Sequence, residues 1–600
     1  MSQLTDYSNI FNYITAQETM YKKPVPINDV WNWSMRDHIK TSELYSCSQL
    51  LSGKGEFTPV KNITRPILNL QHRTEDIEVK DIQIYVNDSS RYHLSFLVKK
   101  YHDDVFVVEN DIDTFFDELN VSRVDFGGGL SKQLNKPRPE VVPLQSIAFC
   151  DQTDLLSGPI GIKHYYSPDQ LLDMEEFGWG NEKNGATATL DEVIALSMEE
   201  KKLENASQKA ETPGRYIEVY EVHGNLPKNF ADSDDTSSRY ETRLFIVAFY
   251  QKKDSEERGG VILYTAPETK SPFKLIKRDP VYGRALGFGG AEELFESQVW
   301  TNYDMIRMQD MLDAASKTIM ITQDPALVAR HPKGMKDMEN MEFVAEAQNG
   351  NTRQLDTFPR NLRLFENSIN QWDEHAKNIG ASQDPLQGKE PQSGTPFASL
   401  QAQIQQGMGL HDYRRGQFAK HLEDIYTDWI IPHIQKKITQ GYKFLSELTM
   451  EELQFVADSM ITVEANKMII ERVLSGNTVT PEEVELHKEM VREEFKKKGN
   501  KHFIEILKGE FKNVPLAVRV SIAGKSKNLG QATDKIVNIF RFAFSNPQGF
   551  AQVMQMPGMS KAFNQILEFS GMNPVDFSGI DKLSLPQPSP IQLPTGMNPA

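Results

Sequence analysis

Cysteine is almost absent from this chain of 600 residues, which has only Cys47 and Cys150. Two cysteines so far apart exclude a disulfide framework and indicate a reducing compartment. Either thiol could be reactive, although a buried or incidental cysteine is the ordinary interpretation. The chain also lacks any apolar run of the roughly 18 residues that a membrane span requires. Because its first residues resemble no secretory signal, we expect a soluble protein that is made and used in a cytoplasm.

Positive charge is also in short supply, since 66 Lys and Arg stand against 83 Asp and Glu, a formal net charge of −17. Tight binding of duplex DNA neutralises phosphates with clustered Lys and Arg. The composition therefore argues against tight DNA binding, but it permits a surface past which DNA slides. A hydrophobic content of 39% and a charged content of 25% are typical of globular proteins.

Motifs for phosphate and dinucleotide binding are missing. Gly127–Gly129 precede Lys132, but the spacing is not that of a Walker loop, and we interpret these glycines as a flexible turn. The glycines between residues 283 and 290 do not fit the dinucleotide fingerprint, and we interpret them as a bend before a helix. No nucleophile elbow, zinc pair or kinase set has its required context.

Three histidines, His411, His421 and His433, do not form a metal-binding pattern. Their spacings of ten and twelve place none of them one helical turn from another. We interpret them as surface or packing residues. The sequence therefore predicts no metal, no cofactor and no enzymatic activity.

Carboxylates are so abundant that adjacent pairs, such as Glu292 with Glu293 or Asp373 with Glu374, do not indicate acid–base dyads. We expect such residues on the exposed faces of long helices. The residues concerned are Glu292, Glu296, Asp304, Asp310, Asp313, Glu366, Asp373 and Glu374.

One stretch, residues 291–410, organises the chain. The pattern predicts a long helix over 291–319 and a β-rich excursion over 318–360, which holds Pro325, Pro332 and Gly334. A second helix over 361–379 has apolar residues at spacings of three and four. Residues 381–393 are polar and hold no fold of their own, and Thr395 with Pro396 then begins a third helix.

The remaining chain has a run of strands followed by runs of helices, which predicts an α+β protein. We expect strands over 215–222, 242–250 and 261–264, with 242–251 buried in the centre of a sheet. Residues 81–87 and 91–100 read as a hairpin, with 105–108 as a third strand. Towards the C-terminus we expect helices over 451–459, 463–475 and 481–498, a strand over 516–522, and a disordered proline-rich tail. The glycines at 407, 409 and 416 predict a kink in the helix that precedes Pro432.

This order of parts resembles the stem, clip, stem, tunnel loop and wing of portal proteins from tailed double-stranded DNA bacteriophages of the podovirus type. The likeness is carried by Tyr282-Gly283-Arg284 before the first long helix and by Ser393-Gly394-Thr395 before Phe397–Gln406. It extends to Tyr216–Val222 and Ile425–Pro432.

The resemblance implies a portal fold that assembles as a ring around a DNA channel, with twelve subunits. The implied parts are an N-terminal wing part (1–285), stem helix 1 (286–317), clip (318–360), stem helix 2 (361–380), tunnel loop (381–395), wing helix and C-terminal wing part (396–528), crown-like helices (529–582) and a disordered tail (583–600).

The resemblance also implies the site residues. The tunnel loop would present Gln383, Asp384, Gln387, Lys389, Glu390, Gln392 and Ser393 to passing DNA. The stem would pack through Phe365, Ile369, Trp372 and Ala376 with Met308 and Leu312. The clip would contact partners through Arg330, Lys333 and Lys336.

The implied partners are further copies of the chain, non-specifically passing double-stranded DNA, the terminase large subunit, head–tail adaptor and tail proteins, the major capsid protein and a scaffolding protein. The implied location is the portal vertex of the virion, with assembly in the host cytoplasm. Two other classes stay open: a head–tail or baseplate subunit without a DNA channel, and an enzyme whose site has no recognisable motif.

Overall fold

A computed structural model describes most of the chain. The described residues are 9–27, 31–47, 61–86, 91–134, 136–197, 216–230, 240–251, 258–316, 320–322, 325, 343–345, 353–354, 361–382, 384, 386–387, 397–440, 448–476, 479–513, 516–520 and 541. Among these residues, no helix is long and apolar enough to cross a membrane.

Helices and strands both contribute, and the fold is α+β. The helices are α1 (Ile10–Tyr21), α2 (Met35–Ser46), α3 (Thr64–Thr74), α4 (Tyr92–Tyr101), α5 (Val107–Asn110), α6 (Ile112–Phe126), α7 (Pro168–Asp173), α8 (Leu190–Ser197), α9 (Gly290–Glu293), α10 (Phe295–Ser316), α11 (Leu362–Ile379), α12 (Phe397–Ile425), α13 (Ile431–Gln440), α14 (Met450–Leu474) and α15 (Pro481–Asn513). The strands are β1 (Val25–Pro26), β2 (Asn32–Trp33), β3 (Ile82–Val86), β4 (Gly128–Lys132), β5 (Glu140–Val142), β6 (Ile147–Phe149), β7 (Ile160–Tyr166), β8 (Ile217–Pro227), β9 (Tyr240–Gln251), β10 (Arg258–Pro267), β11 (Phe273–Lys277), β12 (Met320–Thr322), β13 (Phe343–Ala345), β14 (Arg353–Gln354) and β15 (Leu516–Val520).

The chain forms two compact units. The first comprises Met1–Val79 and Asn110–Ile425, and the second comprises Lys80–Glu109 and Tyr426–Ala600.

The first unit is built on a five-stranded antiparallel sheet in the order β10-β9-β8-β7-β6. Strand β9 is covered on both faces, because Phe245 and Val247 join one apolar cluster while Leu244 and Ile246 join another. Alternate residues of a strand point to opposite faces, so a strand buried on both sides reads as a continuous apolar run. The predicted buried central strand is confirmed.

A three-stranded sheet, β11-β4-β5, stands next to the glycine-rich segments. Gly127 ends α6 with φ of +80°, and a Cβ there would lie 2.3 Å from the carbonyl oxygen of Gly287. Gly128 and Gly129 are buried in β4. The expectation of a flexible turn at Gly127–Gly129 is therefore wrong, because these glycines allow two backbone segments to approach closely.

In the second unit, residues 81–87 and 91–100 do not form the predicted hairpin. Strand β3 pairs with β15, more than 400 residues later in the chain. Residues 91–100 instead form most of α4, in which Leu94, Leu97 and Val98 are buried at helical spacing. The expected third strand over 105–108 is also helical, since a π-helical turn at His102–Phe106 leads into α5.

Three helices are longer or more regular than expected. Helix α14 spans both segments that were predicted as separate helices, and α15 continues to Asn513. Helix α12 runs through the glycines at 407, 409 and 416. A glycine costs a helix about 1 kcal/mol, less than the burial of apolar side chains such as Phe418 and Leu422 contributes. The irregularity lies later, at the π-helical turn Tyr426–Ile430.

Between α10 and α11 the described strands form a small sheet. Strand β12 pairs with β13 in parallel and with β14 in antiparallel register. This agrees with a β-rich excursion between two long helices. The first of these helices is interrupted at Leu294, where α9 ends and α10 follows.

Candidate functional site

Helices α10 and α11 pack against each other within the first unit. Ile369 and Ala376 of α11 are buried, while Phe365 and Trp372 are half-buried. The Trp372 ring stacks on Trp300 of α10, with centroids 6.3 Å apart and planes inclined by 10°. We call this contact the seam.

A carboxylate also lies in the seam. Asp304 is buried, and its carboxylate accepts a hydrogen bond of 2.6 Å from the Ser368 hydroxyl. The expectation that Asp304 is exposed is therefore wrong, because a polar partner on α11 satisfies it within the contact. Further along α10, Met308 is half-buried and Leu312 is 39% exposed.

Helix α3 braces the start of the helix pair. The Gln298 side-chain carbonyl accepts hydrogen bonds from the backbone of Ile63 and Thr64, and its amide donates to the Lys61 carbonyl. A small apolar cluster also joins the start of α3, the junction of α9 and α10, and α11, and it consists of Ile63, Ile67, Leu294 and Ala376. Because Gln298 is 1% exposed, these bonds are shielded from water.

The first residues after α11 are held in place by the same brace. The Gln71 amide donates to the Gly380 carbonyl over 3.2 Å, and the Ser382 backbone donates to the Lys377 carbonyl over 2.8 Å. Ala381 has φ of +49°, and its carbonyl oxygen lies 3.2 Å from Nε2 of His411. We call residues 380–382 the loop base.

Two predicted loop residues lie within the described part of the chain, and both contact the end of α11 or the loop base. Gln387 donates from its amide to the Ser382 carbonyl and hydroxyl. Asp384 lies 3.3 Å from Nζ of Lys377. Hydrogen bonds and an ion pair thus connect the described part of this segment to the loop base and to α11. The sequence had predicted an unstructured segment. Gln383, Lys389, Glu390, Gln392 and Ser393 lie outside the described residues, as do Arg330, Lys333 and Lys336.

A buried charge network adjoins the loop base through His411. It is centred on Glu75, which is 0% exposed. Its carboxylate lies 3.1 Å from Arg278, 3.0 Å from Arg123 and 3.2 Å from Nδ1 of His411. Burial alone would raise the pKa of Glu75, but Arg278 and Arg123 hold that pKa well below its usual value. Glu75 is therefore ionised, and His411 links it directly to the Ala381 carbonyl.

The network extends to both carboxylates of α9. Glu293 pairs with Arg278 and Arg414, and Glu292 receives two hydrogen bonds of 2.9 Å from Arg284. The expectation that Glu292 and Glu293 lie on an exposed face is wrong. The two carboxylates help to balance the charges of the buried Arg278, Arg284 and Arg414, because burying an unpaired charge is costly.

Protonation in the network follows from burial and pairing. Burial lowers the pKa of Arg123 to about 10, although Glu75 opposes the shift. Burial also acts to lower the pKa of Arg414, but Glu293 and Glu75 raise it above its usual value. Glu75, Arg123 and Arg414 stay charged at neutral pH, so the ion pairs of Glu75 with these two arginines persist there.

His411 is a packing histidine, as expected, but Glu75, Arg123 and Arg278 were not foreseen as a group. The members are far apart in the sequence, from α3 to α12. The sequence does contain one signal of a buried charge. Arg123 follows Leu119 by four residues and Phe116 by seven, which places it on the buried face of α6. An arginine on an apolar face indicates a buried partner, although it does not say which one.

A second polar cluster lies at the five-stranded sheet. The Glu221 carboxylate accepts hydrogen bonds from Lys132 at 3.0 and 2.9 Å, and it lies 2.8 Å from His223. His223 also lies 2.8 Å from Glu268. Burial would lower the pKa of His223, but its two carboxylate partners raise it. Lys132 is thus engaged with Glu221.

Of the two cysteines, Cys150 is half-buried and Cys47 is exposed. Burial raises the pKa of the Cys150 thiol, which lies 3.7 Å from the sulfur of Met35. A thiol with a raised pKa is a poor nucleophile. Among the described residues, no group of His, Cys, Asp and Glu is arranged to hold a metal ion.

Comparisons with known proteins add no assignment. A scan against protein-family models finds no match, and a search of curated proteins finds no significant match.

Proposed function

We propose that this protein is a portal subunit, which forms a ring of twelve copies around a channel at one capsid vertex. Viral DNA would enter the head and leave it through this channel. A separate motor, the terminase large subunit, would drive packaging, so the ring itself would hydrolyse nothing.

One observation carries the proposal: two long packed helices are joined by short strands, and the second helix leads through a firmly held base into a polar loop and a third long helix. In a portal subunit these parts would be stem, clip, stem, tunnel loop and wing helix. The loop base is fixed by hydrogen bonds from Gln71 and the Ser382 backbone and by the contact of His411 with the Ala381 carbonyl.

Exposed apolar residues on the helix pair support assembly. Trp300 and Tyr303 of α10 are each 44% exposed, and Leu364 of α11 is 66% exposed. Large apolar side chains that one chain leaves exposed are suited to contact with a neighbouring copy. In the ring, α10 and α11 would form the channel wall.

Contact with DNA would be weak and independent of sequence. The net charge of −17 disfavours adhesion of the phosphate backbone. The loop would contribute Gln383, Asp384, Gln387, Glu390, Gln392 and Ser393, with Lys389 as its one cation. Arg330, Lys333 and Lys336 of the clip would contact the terminase and later the adaptor and tail proteins. The wing would face the major capsid and scaffolding proteins.

Electron microscopy of the purified full-length protein in negative stain tests this proposal. We expect rings with a central hole wide enough for a DNA duplex. An assembly without a hole would favour the head–tail or baseplate alternative. A compact monomer would contradict both and favour an enzyme.

Deletion of residues 383–392 tests the loop. We expect rings of normal size that package or retain DNA poorly, because the segment lies beyond the fixed loop base. A matched control replaces the same residues with a Gly-Ser segment of equal length. Loss of ring assembly upon deletion would contradict the loop assignment.

A further inference from the structure

A pocket of about 240 Å³ in the first unit lies apart from the helix pair and the loop base. It is open to solvent and lined by α1, α2, the segment around β6 and the side chain of Lys163 on β7. Its apolar lining includes Tyr21, Ile39, Leu144 and Ile147, all of them buried. The volume is smaller than that of a typical small-molecule site and suits one anchoring side chain.

The lining of this pocket is cationic, although the chain as a whole is acidic. Lys22, Arg36, Lys40 and Lys163 stand against two carboxylates, Glu18 and Glu43. Four positive charges against two negative ones give a formal charge of +2, whereas the chain carries −17. A local reversal of sign attracts ligands of negative charge.

Two of the four cations already have partners. Lys22 pairs with Glu18 over 3.3 Å, and Lys163 pairs with Glu218 over 3.2 Å. Arg36 and Lys40 are exposed, lie one turn apart on α2, and have no ion-pair partner among the described residues. These two side chains are therefore the groups that an incoming anion would meet.

We infer that this pocket binds an acidic peptide segment of a partner protein. One apolar side chain of the peptide would fill the pocket, and flanking carboxylates would pair with Arg36 and Lys40. A nucleic-acid backbone fits less well, because it has no apolar side chain to fill a pocket whose lining includes the buried Tyr21, Ile39, Leu144 and Ile147. The inference does not depend on the proposed ring.

The test is fluorescence anisotropy with the full-length protein and a defined probe. The probe is a short fluorescein-labelled peptide of alternating Asp and Glu around a single leucine. We expect binding that weakens with added salt, because rim charges are screened. A peptide with Asn and Gln in place of the acids, and one with serine in place of leucine, should each bind more weakly.

The double variant Arg36→Glu with Lys40→Glu should raise the Kd of the probe at least about tenfold, because two attractions become repulsions. Both residues are exposed, so the fold should tolerate the change, and circular dichroism checks this. The matched control is Lys183→Glu, an exposed lysine of the same unit outside the pocket, which should leave the Kd unchanged.

Several outcomes would overturn the inference. These are no binding by the natural protein, equal losses in the double variant and the control, and equal binding of the uncharged peptide. Displacement of the probe by inorganic phosphate or by duplex DNA would assign the pocket to phosphates instead. Self-association that blocks the probe and is lost in the double variant would assign it to a second copy.

Discussion

The seam runs along α11, the loop base follows the C-terminal end of that helix, and the two are held by opposite means. The seam is a half-exposed contact in which Trp372 stacks on Trp300. The loop base is fixed by hydrogen bonds that lead to Glu75, a carboxylate with no exposure to solvent. The first contact is mainly apolar and partly exposed, although it includes the buried Asp304, and the second is charged and buried.

This difference indicates two kinds of task. Buried charges need partners in defined positions, so they fix one geometry even where apolar residues would be as stable. Apolar surface is non-directional, so a half-exposed seam can accept further contacts from another chain. We therefore expect changes at the network to alter the folded subunit, and changes at the seam to alter assembly.

The largest effect on the subunit is expected from Glu75→Gln. This change leaves Arg123, Arg278 and Arg414 without their central carboxylate, and breaking a buried ion pair in this way costs about 3–5 kcal/mol. Urea unfolding followed by tryptophan fluorescence measures the loss. The control is Glu118→Gln, since Glu118 is 53% exposed and pairs with Arg138 at the surface. Equal effects of the two substitutions would contradict the central role of Glu75.

The next effect is expected from Trp372→Glu, which places a charge in the seam. We expect ring formation to be lost, because the helix pair no longer presents its apolar contact. Sedimentation velocity measures the change, and Glu374→Gln on an exposed position of the same helix is the control. A ring of normal size from Trp372→Glu would exclude the seam from assembly.

A smaller effect is expected from His411→Gln. A glutamine cannot reach both Glu75 and the Ala381 carbonyl, so one buried group loses its hydrogen bond at a cost of about 1–3 kcal/mol. We expect faster tryptic cleavage at Lys389, because the loop base is released. The exposed His375 provides the control His375→Gln. Unchanged cleavage in His411→Gln would show that the contact between His411 and the Ala381 carbonyl does not control access to the loop.

The smallest effect is expected from mild acid. Because the folded-state pKa of Glu75 is depressed, its stabilisation is complete above its ordinary value of 4.5 and declines as the pH falls towards the folded pKa. The unfolding midpoints of the natural protein and of Glu75→Gln should therefore approach each other as the pH falls below 4.5 towards the folded-state pKa of Glu75. A constant difference down to strongly acidic conditions would contradict this assignment of the ionised carboxylate.

Local patterns predicted the seam well and the loop base poorly. Ile369, Trp372 and Ala376 follow one another at helical spacing, so the buried side of α11 could be read directly. The contacts that fix the loop base come from Gln71 on α3 and His411 on α12, which are far from it in the sequence. Likewise, the alternation of 91–100 suggested a strand, but burial of Leu94, Leu97 and Val98 against other elements favoured a helix.

The sequence by itself determined the helices that flank the β-rich excursion, the buried strand β9 and the polar character of the loop. Each of these follows from periodicity or composition within a short window. Only the tertiary structure decided that β3 pairs with β15, that Glu292 and Glu293 pair with buried arginines, and that Glu75 pairs with Arg278 and Arg123. The physical reason is that hydrogen bonds and ion pairs join residues by distance in space, which no local pattern records.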